Sequence, residues 1–187
     1  MPRAFVAIDI DESIMQKLVA AQKHLATAGA DIKLVEPENV HVTMKFLGDV
    51  SDNKVAAVAD AIRTAVAGTQ SFDMKIRGIG AFPNVRYIRV IWAGVADGRD
   101  VVIALERNID RELQKLDFPP ERDFVPHLTL ARVRTPRRKE QLAETIEGMA
   151  KDNTEFGDMR AQAVELKQST LTSKGPIYST IARIELG

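Results

Sequence analysis

The sequence predicts an α+β fold with largely antiparallel sheets. Segments with the spacing of amphipathic helices alternate with short β-rich runs, and several of these runs follow one another across turns short enough for hairpins. A doubly wound parallel sheet would instead alternate strand and helix throughout. The 187 residues suit one domain, or two small lobes that share a core, and no linker or low-complexity segment divides them.

The first half of the chain begins with alternating strands and helices. Residues 3–10 are an apolar run bounded by charged residues and predict the first strand. A helix follows, because Asp11 can act as its N-cap, aliphatic residues recur at helical spacing and Gly29 can end it. Residues 39–47 predict the second strand, and Ser51 is a suitable N-cap for a second amphipathic helix.

The middle of the chain predicts a hairpin, a helix and a further strand. Residues 72–79 and 87–92 have the composition of strands and are joined by a turn that contains Pro83. Aliphatic residues at helical spacing predict a third helix over residues 102–116, which a run of two prolines ends. Residues 127–133 predict another strand.

The last part of the chain predicts one helix and two strands. Thr135 and Pro136 have the residue types of an N-cap and a first helical position, which places the start of a fourth helix there. Residues 163–167 and 177–186 predict the closing strands, joined by a loop that contains Lys174.

The composition limits the classes of function. The 26 basic and 26 acidic residues give no net charge, whereas proteins that bind long nucleic acids usually have a basic excess, so any RNA contact should be local. The absence of cysteine excludes disulfides, thiol catalysis and cysteine metal sites. No signal-peptide run and no membrane-spanning stretch is evident, so we expect a cytoplasmic protein with no membrane partner.

Two tetrapeptides share one pattern of histidine, aliphatic, threonine, aliphatic. They are His41-Val42-Thr43-Met44 and His127-Leu128-Thr129-Leu130, whose histidines are 86 positions apart (41 to 127). Each begins at or near the start of a predicted strand, where alternate residues point to one face. The histidine and threonine of each motif therefore share a face. If the two strands are neighbours, two imidazoles and two hydroxyls line one groove.

Such a groove suits phosphoryl chemistry without a metal. Histidine titrates near neutrality, so a neutral imidazole can accept a proton from the nucleophile while a protonated one donates to the leaving oxygen. Threonine hydroxyls and nearby backbone N–H groups can hold the non-bridging oxygens of the phosphate.

Two other interpretations of the motifs stay open at this point. A single His-x-Thr on a strand is more often structural, although two copies that use two of the three histidines favour a paired site. Zinc takes at least three protein ligands, and these strands supply only His41 and His127; a carboxylate such as Asp123 could complete the set, but nothing in the spacing demands it. His24 lies on the polar side of its helix and is expected at the surface. We expect no metal and no cofactor.

The pair of motifs resembles the 2H phosphoesterases and, within them, the RNA 2′,3′-cyclic phosphodiesterases, also called 2′-5′ RNA ligases. Further segments are similar to this family and occur in the same order over nearly the whole chain. They are Arg3–Ile8, Pro37–Gly48, Pro126–Arg132, and the C-terminal loop and strand with Ser169, Leu171, Gly175-Pro176 and Tyr178.

The resemblance implies one bilobal domain over residues 1–187, in which each lobe supplies one motif to a central cleft. It implies metal-independent hydrolysis of 2′,3′-cyclic phosphates on RNA ends or short oligonucleotides to 2′-phosphomonoesters, with reversible 2′-5′ RNA ligation in some relatives. His41 would donate a proton to the departing 3′ oxygen, His127 would activate water, and Thr43 and Thr129 would bind the phosphate. Nothing requires an oligomer, so we expect a monomer. The alternative is a module that binds a nucleotide or RNA end without turnover.

Two charged residues near the motifs are candidate RNA contacts. Lys45 has the strand parity of His41, so it either adds positive charge near the phosphate or is a solvated residue at the strand end. Arg132 has the opposite parity from His127 and points away from the groove in an ideal strand, unless a β-bulge re-aims it.

Other candidate contacts lie elsewhere in the chain. Tyr178 and Phe5 can stack on a base, with a role in the core as the alternative for both, and Lys174 either contacts RNA or faces water. A basic cluster spans a strand end and the following helix start, where it either guides the RNA backbone or is simply solvated. Its members are Arg132, Arg134, Arg137, Arg138 and Lys139.

Overall fold

The computed structural model describes residues 1–173 and 175–187 and confirms the α+β class. In that part of the chain, the strands are β1 (Arg3–Asp9), β2 (Ile32–Leu34), β3 (His41–Asp49), β4 (Phe72–Asn84), β5 (Tyr87–Val95), β6 (His127–Val133), β7 (Glu155–Ala161), β8 (Ala163–Thr172) and β9 (Gly175–Glu185). The α-helices are α1 (Glu12–Ala26), α2 (Asp52–Val66), α3 (Arg99–Gln114) and α4 (Lys139–Lys151), with a short 3-10 helix at Pro37–Asn39. No helix in these ranges is long and apolar enough to cross a membrane.

The nine strands form one sheet, which curls into a half-barrel. Their order is β7-β4-β5-β6-β3-β1-β8-β9, and β2 pairs with β6 outside this path. Every pairing is antiparallel, which confirms the predicted sheet type. Strands β3 and β6 lie side by side at the centre, so the two motif strands, which are far apart in sequence, meet there.

The hydrophobic core explains why the motif strands present their histidines on one particular face. Val42 and Leu128 have no exposed surface. Burying an aliphatic side chain of this size stabilises a fold by about 1.5–3 kcal/mol. A one-residue change of register would expose both side chains and bury the polar ones, so the apolar residues of each motif fix the direction of its histidine and threonine. Met44 and Leu130, the second aliphatic residue of each motif, are also buried.

The four predicted helices are all present, but the sequence did not predict strands β2 and β7. Strand β2 has only three residues, which is too short for a recognisable alternation. Strand β7 contains Gly157 and three charged residues, and its pairing with β4 shifts register between Ile76 and Arg77. Both strands depend on pairing with partners that are distant in the sequence.

The turn predicted around Pro83 lies two residues later. Strand β4 continues through Gly80 and Pro83 to Asn84, and the turn is at residues 85–86. Gly80 has a packing role instead, because a Cβ atom there would overlap the indole of Trp92 on the neighbouring strand. This glycine therefore allows a close contact between strands.

Two boundaries in the C-terminal part also differ from the prediction. Helix α4 begins at Lys139 rather than at Pro136, because Arg138 adopts a left-handed conformation with φ 54° that a continuous helix cannot contain. Strands β8 and β9 extend to Thr172 and Gly175, where a longer loop was predicted, and they pair with each other up to these two residues.

Candidate active site

The two motifs lie next to each other, as the repeated pattern predicted. Strands β3 and β6 pair at Val42 and Leu128. In an antiparallel pair, the residues on either side of this point are adjacent across the strands and project to the opposite face. The four predicted side chains line one cleft of about 350 Å³: His41, Thr43, His127 and Thr129.

His41 lies at the more enclosed side of the cleft. Only 8% of it is exposed, its ring is stacked on Phe5 at a centroid distance of 4.9 Å, and it forms an edge-to-face pair with Tyr178 at a centroid distance of 5.4 Å. Burial lowers the pKa of His41 to about 4, the positive charge of Lys167 acts in the same direction, and a backbone hydrogen bond at Asn39 opposes both. The imidazole is therefore neutral at pH 7 in the free protein.

The charge of Lys167 is fixed close to His41 by two carboxylates. Its Nζ donates hydrogen bonds to both carboxylate oxygens of Asp9 at 2.7 Å and to Oε2 of Glu165 at 3.2 Å. Lys167 is 9% exposed. Glu165 is buried as well, and a buried ion pair is screened less by salt than a surface pair.

His127 has a defined orientation at the other side of the cleft. Its Nδ1 is 2.7 Å from the carbonyl oxygen of Val125, and its ring meets Phe82 edge to face at 4.9 Å. A carbonyl can only accept, so the proton of the neutral ring is on Nδ1 and Nε2 carries the free lone pair. Burial lowers the pKa of His127, the Val125 hydrogen bond opposes this, and the charge of Arg132 lowers it further. A neutral imidazole with a free Nε2 suits a general base.

A β-bulge in β6 turns Arg132 towards the cleft. Thr129 pairs with Trp92 and Arg132 with Val90, so three residues of β6 cover two residues of β5 and Leu130 is the extra one. Trp92 and Val90 share a face, and Thr129 and Arg132 therefore share one as well. Arg132 lines the cleft. The β-bulge that the sequence analysis allowed for is therefore present. It reverses the side-chain direction that Arg132 would have in an ideal strand.

A matching bulge in β3 changes the strand parity of Lys45, which still lines the cleft. Thr43 pairs with Ala7 and Lys45 with the adjacent Val6, so Met44 is the extra residue and Lys45 no longer has the parity of His41. Lys45 is 3% exposed.

The ammonium group of Lys45 is already occupied. Its Nζ donates to Oδ1 of Asp110 at 2.5 Å and to the carbonyl of Pro119 at 2.7 Å. Burial would raise the pKa of Asp110, but hydrogen bonds from Lys45 and from the Glu121 backbone keep that pKa below its usual value. Lys45 therefore holds α3 and the following loop against β3, and its role as an RNA contact stays a prediction.

The β3 bulge also exposes an aromatic side chain that the sequence analysis missed. Phe46 is in the position of β3 that corresponds to Arg132 in β6, three residues after the motif threonine. It lines the cleft, 66% of it is exposed, and its ring centroid is 6.0 Å from that of Phe5. A large exposed aromatic side chain is a signal of binding, but its direction follows from the bulge and could not be read from strand parity.

The remaining candidates have different outcomes. Tyr178 is half-buried and lines the cleft beside His41, whereas Phe5 is 2% exposed and belongs to the core, the alternative stated for it above. Lys174 lies outside the described residues. His24 is exposed, as predicted.

The zinc alternative has no complete ligand set in the described part of the chain. Asp123 lines the cleft. However, no group of three or more histidine, aspartate or glutamate side chains in residues 1–173 and 175–187 is arranged to hold a metal ion.

Comparison with known proteins shows two similar halves and close relatives. The LigT-like phosphoesterase family matches residues 8–92 and again residues 94–178. The two matches begin 86 residues apart (8 and 94), which is also the separation of the two histidines. The chain is 46% identical over 177 residues to a protein of Methanothermobacter thermautotrophicus named RNA 2′,3′-cyclic phosphodiesterase, with 95% of each covered. It is 40% identical over 179 residues to a protein of the same name from Methanocaldococcus jannaschii, with 96% of this chain and 98% of the relative covered.

Solved structures confirm the fold. A Thermus thermophilus protein superimposes with a TM-score of 0.79 at 25% identity, covering 98% of this chain and 97% of that one. The ligand-free E. coli LigT superimposes with a TM-score of 0.78 at 22% identity, covering 99% and 97%. The twofold match to the family, the closely related sequences and the shared fold agree with the paired motifs in the cleft, and the chain belongs to the LigT-like phosphoesterase family.

Proposed function

We propose that this phosphoesterase hydrolyses 2′,3′-cyclic phosphate ends of RNA or short oligonucleotides to 2′-phosphomonoesters without a metal. The observation that carries the proposal is the position of two imidazoles and two threonine hydroxyls in one cleft, on neighbouring strands. The names of relatives that are 46% and 40% identical support the choice of substrate. We further propose that residues 1–187 act as one monomeric, bilobal domain, since all described strands belong to one sheet.

The orientation of His127 supports its role as the base. Nε2 takes a proton from water, whose oxygen forms a bond to phosphorus while the bond from phosphorus to the 3′ oxygen breaks. His41, in its protonated form, donates a proton to that 3′ oxygen. The phosphorus stays on the 2′ oxygen, so the product is a 2′-phosphomonoester with a free 3′ hydroxyl.

The surrounding groups support binding of an anion that gains charge as water attacks. Thr43 and Thr129 can donate hydrogen bonds to the non-bridging oxygens, and Arg132 adds a positive charge that does not depend on pH. Arg132 also helps to keep His127 neutral, because its charge lowers the pKa of that imidazole. One cation thereby supports both substrate binding and the base.

Ligation follows from the same geometry when an RNA 5′ hydroxyl replaces water. His127 then takes the proton of that hydroxyl, and attack with departure of the 3′ oxygen leaves a 2′-5′ phosphodiester. The reverse reaction uses His41 as the base and His127 as the acid, by microscopic reversibility. No nucleotide cofactor is needed, because the cyclic ester supplies the energy of the new bond.

The test uses purified protein in excess EDTA with a short RNA that ends in a 2′,3′-cyclic phosphate. We expect conversion to the 2′-phosphate by the wild type, and near-complete loss of activity in His41→Ala and in His127→Ala. His24→Ala is the matched control, because this histidine is exposed and lies outside the cleft, and it should retain full activity. Full activity of His127→Ala would contradict the mechanism. Binding without product on long incubation would favour a binding module.

A further inference from the structure

A second groove lies beside the catalytic cleft, on the side formed by β5 and β6. It encloses about 890 Å³ and shares Val90 and Arg132 with the cleft. Its walls come from the turn before β5, the first half of β5, the end of β6 and the start of α4. The two cavities are therefore adjacent, with Val90 and Arg132 at their boundary.

Positive charge is concentrated in this groove, although the chain as a whole has no net charge. Six cationic side chains line it, against the two carboxylates of Glu140 and Glu147. The six are Arg86, Arg89, Arg132, Arg134, Arg137 and Lys139.

Most of these cations have no acidic partner. In residues 1–173 and 175–187, Lys139 forms an ion pair with Glu140. No ion pair in these ranges involves four of the arginines, which are Arg86, Arg132, Arg134 and Arg137. Unpaired arginines that share one groove repel one another. An anionic ligand removes this repulsion, so the charge distribution favours a ligand that carries several negative charges.

An exposed aromatic side chain narrows the class of ligand. Tyr87 is 58% exposed and lines the groove between Arg86 and Ile88. The Arg89 guanidinium lies 5.0 Å from the centre of its ring and donates a hydrogen bond of 3.1 Å to its hydroxyl. Aromatic rings that alternate with cations are typical of sites for single-stranded nucleic acid, where bases stack and the cations meet phosphates.

We propose that the groove binds the nucleotides that precede the cyclic phosphate in a single-stranded RNA substrate. This inference rests on the proposed function. A 2′,3′-cyclic phosphate occupies the 3′ end, so the strand can leave the terminal ribose only through its 5′ oxygen. A strand that leaves the cleft past Arg132 meets Arg134 and Arg137 next, and Tyr87 offers its ring to a base. The basic cluster seen in the sequence thus continues the active site.

The test compares two substrates, a 2′,3′-cyclic mononucleotide and a single-stranded hexanucleotide with the same cyclic end. The groove variant is Arg134→Ser/Arg137→Ser. The matched control is Arg63→Ser/Lys151→Ser, which removes the same charge from two exposed helical positions that line neither cavity. All four positions are exposed, so both variants should fold, which circular dichroism verifies.

We expect the wild type and the control to prefer the hexanucleotide in kcat/KM. The groove variant should lose this preference and keep the wild-type kcat/KM for the mononucleotide. The logarithm of kcat/KM for the hexanucleotide should fall with the logarithm of salt concentration, with a slope about 1.4 smaller in the groove variant, since each lost phosphate contact on a single strand removes about 0.7. Tyr87→Ser should weaken hexanucleotide binding at least about fivefold.

Direct binding separates this inference from the proposed function. Fluorescence anisotropy with a hexanucleotide that ends in a 2′-phosphate needs no turnover. If neither cyclic substrate is hydrolysed, the proposed function is wrong, and weaker binding by the groove variant would still support the groove. Equal binding and equal hexanucleotide hydrolysis by the wild type and the groove variant would overturn the inference. The inference would also be overturned if polyaspartate displaced the RNA as effectively as an oligonucleotide of equal charge. That result would indicate an acidic protein partner.

Discussion

The protonation of His41 should depend on whether the cleft holds a phosphate. With a pKa of about 4, only about one molecule in a thousand carries a protonated His41 at pH 7. The proposed mechanism requires the protonated form. A negative charge about 4 Å from the imidazole, at an effective dielectric constant near 20, stabilises that form by roughly 4 kcal/mol. This energy would bring the pKa of His41 close to neutrality, because about 1.4 kcal/mol corresponds to one pH unit.

The measurement is an NMR titration of the histidine side chains, free and with a saturating nucleoside 2′-monophosphate. The His41 resonance should titrate at about pH 4 in the free protein and near neutrality in the complex. His24 is the internal control, since it is exposed and does not line the cleft, and its resonance should not respond to the ligand. If His41 titrates near pH 6.5 in the free protein, or does not respond to the phosphate, the reasoning about burial and charge is refuted.

Three further outcomes follow from the same contacts. The pH profile of kcat/KM reports the ionisations of the free enzyme, and the pKa values of both His41 and His127 are lowered there. The optimum of kcat/KM should therefore lie below pH 6.5, with a tenfold fall per pH unit on the alkaline side. An optimum above pH 7 would contradict this. Phe46→Ala should raise KM for cyclic nucleotides about 5- to 150-fold, by loss of about 1–3 kcal/mol of base stacking, and an unchanged KM in steady-state assays would exclude that role. Lys45→Met should lower the free energy of unfolding by about 3–5 kcal/mol in urea titrations, because Asp110 loses its buried partner. The double variant Lys45→Met/Asp110→Leu should recover part of this loss. If the single and the double variant are equally stable, the ion pair does not have this effect.

The sequence contained enough to find the centre of the site. The pleat of a strand has a fixed period of two, so a histidine and a threonine separated by one aliphatic residue must share a face when that aliphatic residue is buried. Val42 and Leu128 meet this condition, with no exposed surface. The family resemblance supplied the assignment of the donor and acceptor roles, which the symmetry of the two motifs cannot provide.

The parts that could not be predicted depend on irregular strand pairing. A β-bulge is a mismatch in length between two strands, so it depends on the partner strand and on its register. The extra residues, Met44 and Leu130, have ordinary aliphatic side chains that give no local signal of a bulge. Strand parity therefore failed just beyond them, at Lys45, Phe46 and Arg132, which explains why Lys45 lost the parity of His41, Arg132 stayed open and Phe46 was missed.

The two bulges also explain how a repeated motif produces an asymmetric site. In each half of the chain, the residue three positions after the motif threonine lines the cleft. This residue is Phe46 in one half and Arg132 in the other. In the proposed function, Phe46 offers an apolar face for a base and Arg132 offers a charge for the phosphate.

The neighbours of the two histidines differ in the same sense. His41 is enclosed by aromatic rings. His127 lies beside the permanent charge of Arg132, and its Nδ1 is bonded to a backbone carbonyl, which leaves Nε2 free. In the proposed mechanism the acid, His41, is charged only when the substrate's phosphate is present, and the base, His127, is kept neutral by burial and further by the charge of Arg132. The repeat brings two imidazoles together, and the residues that are not repeated give them different surroundings.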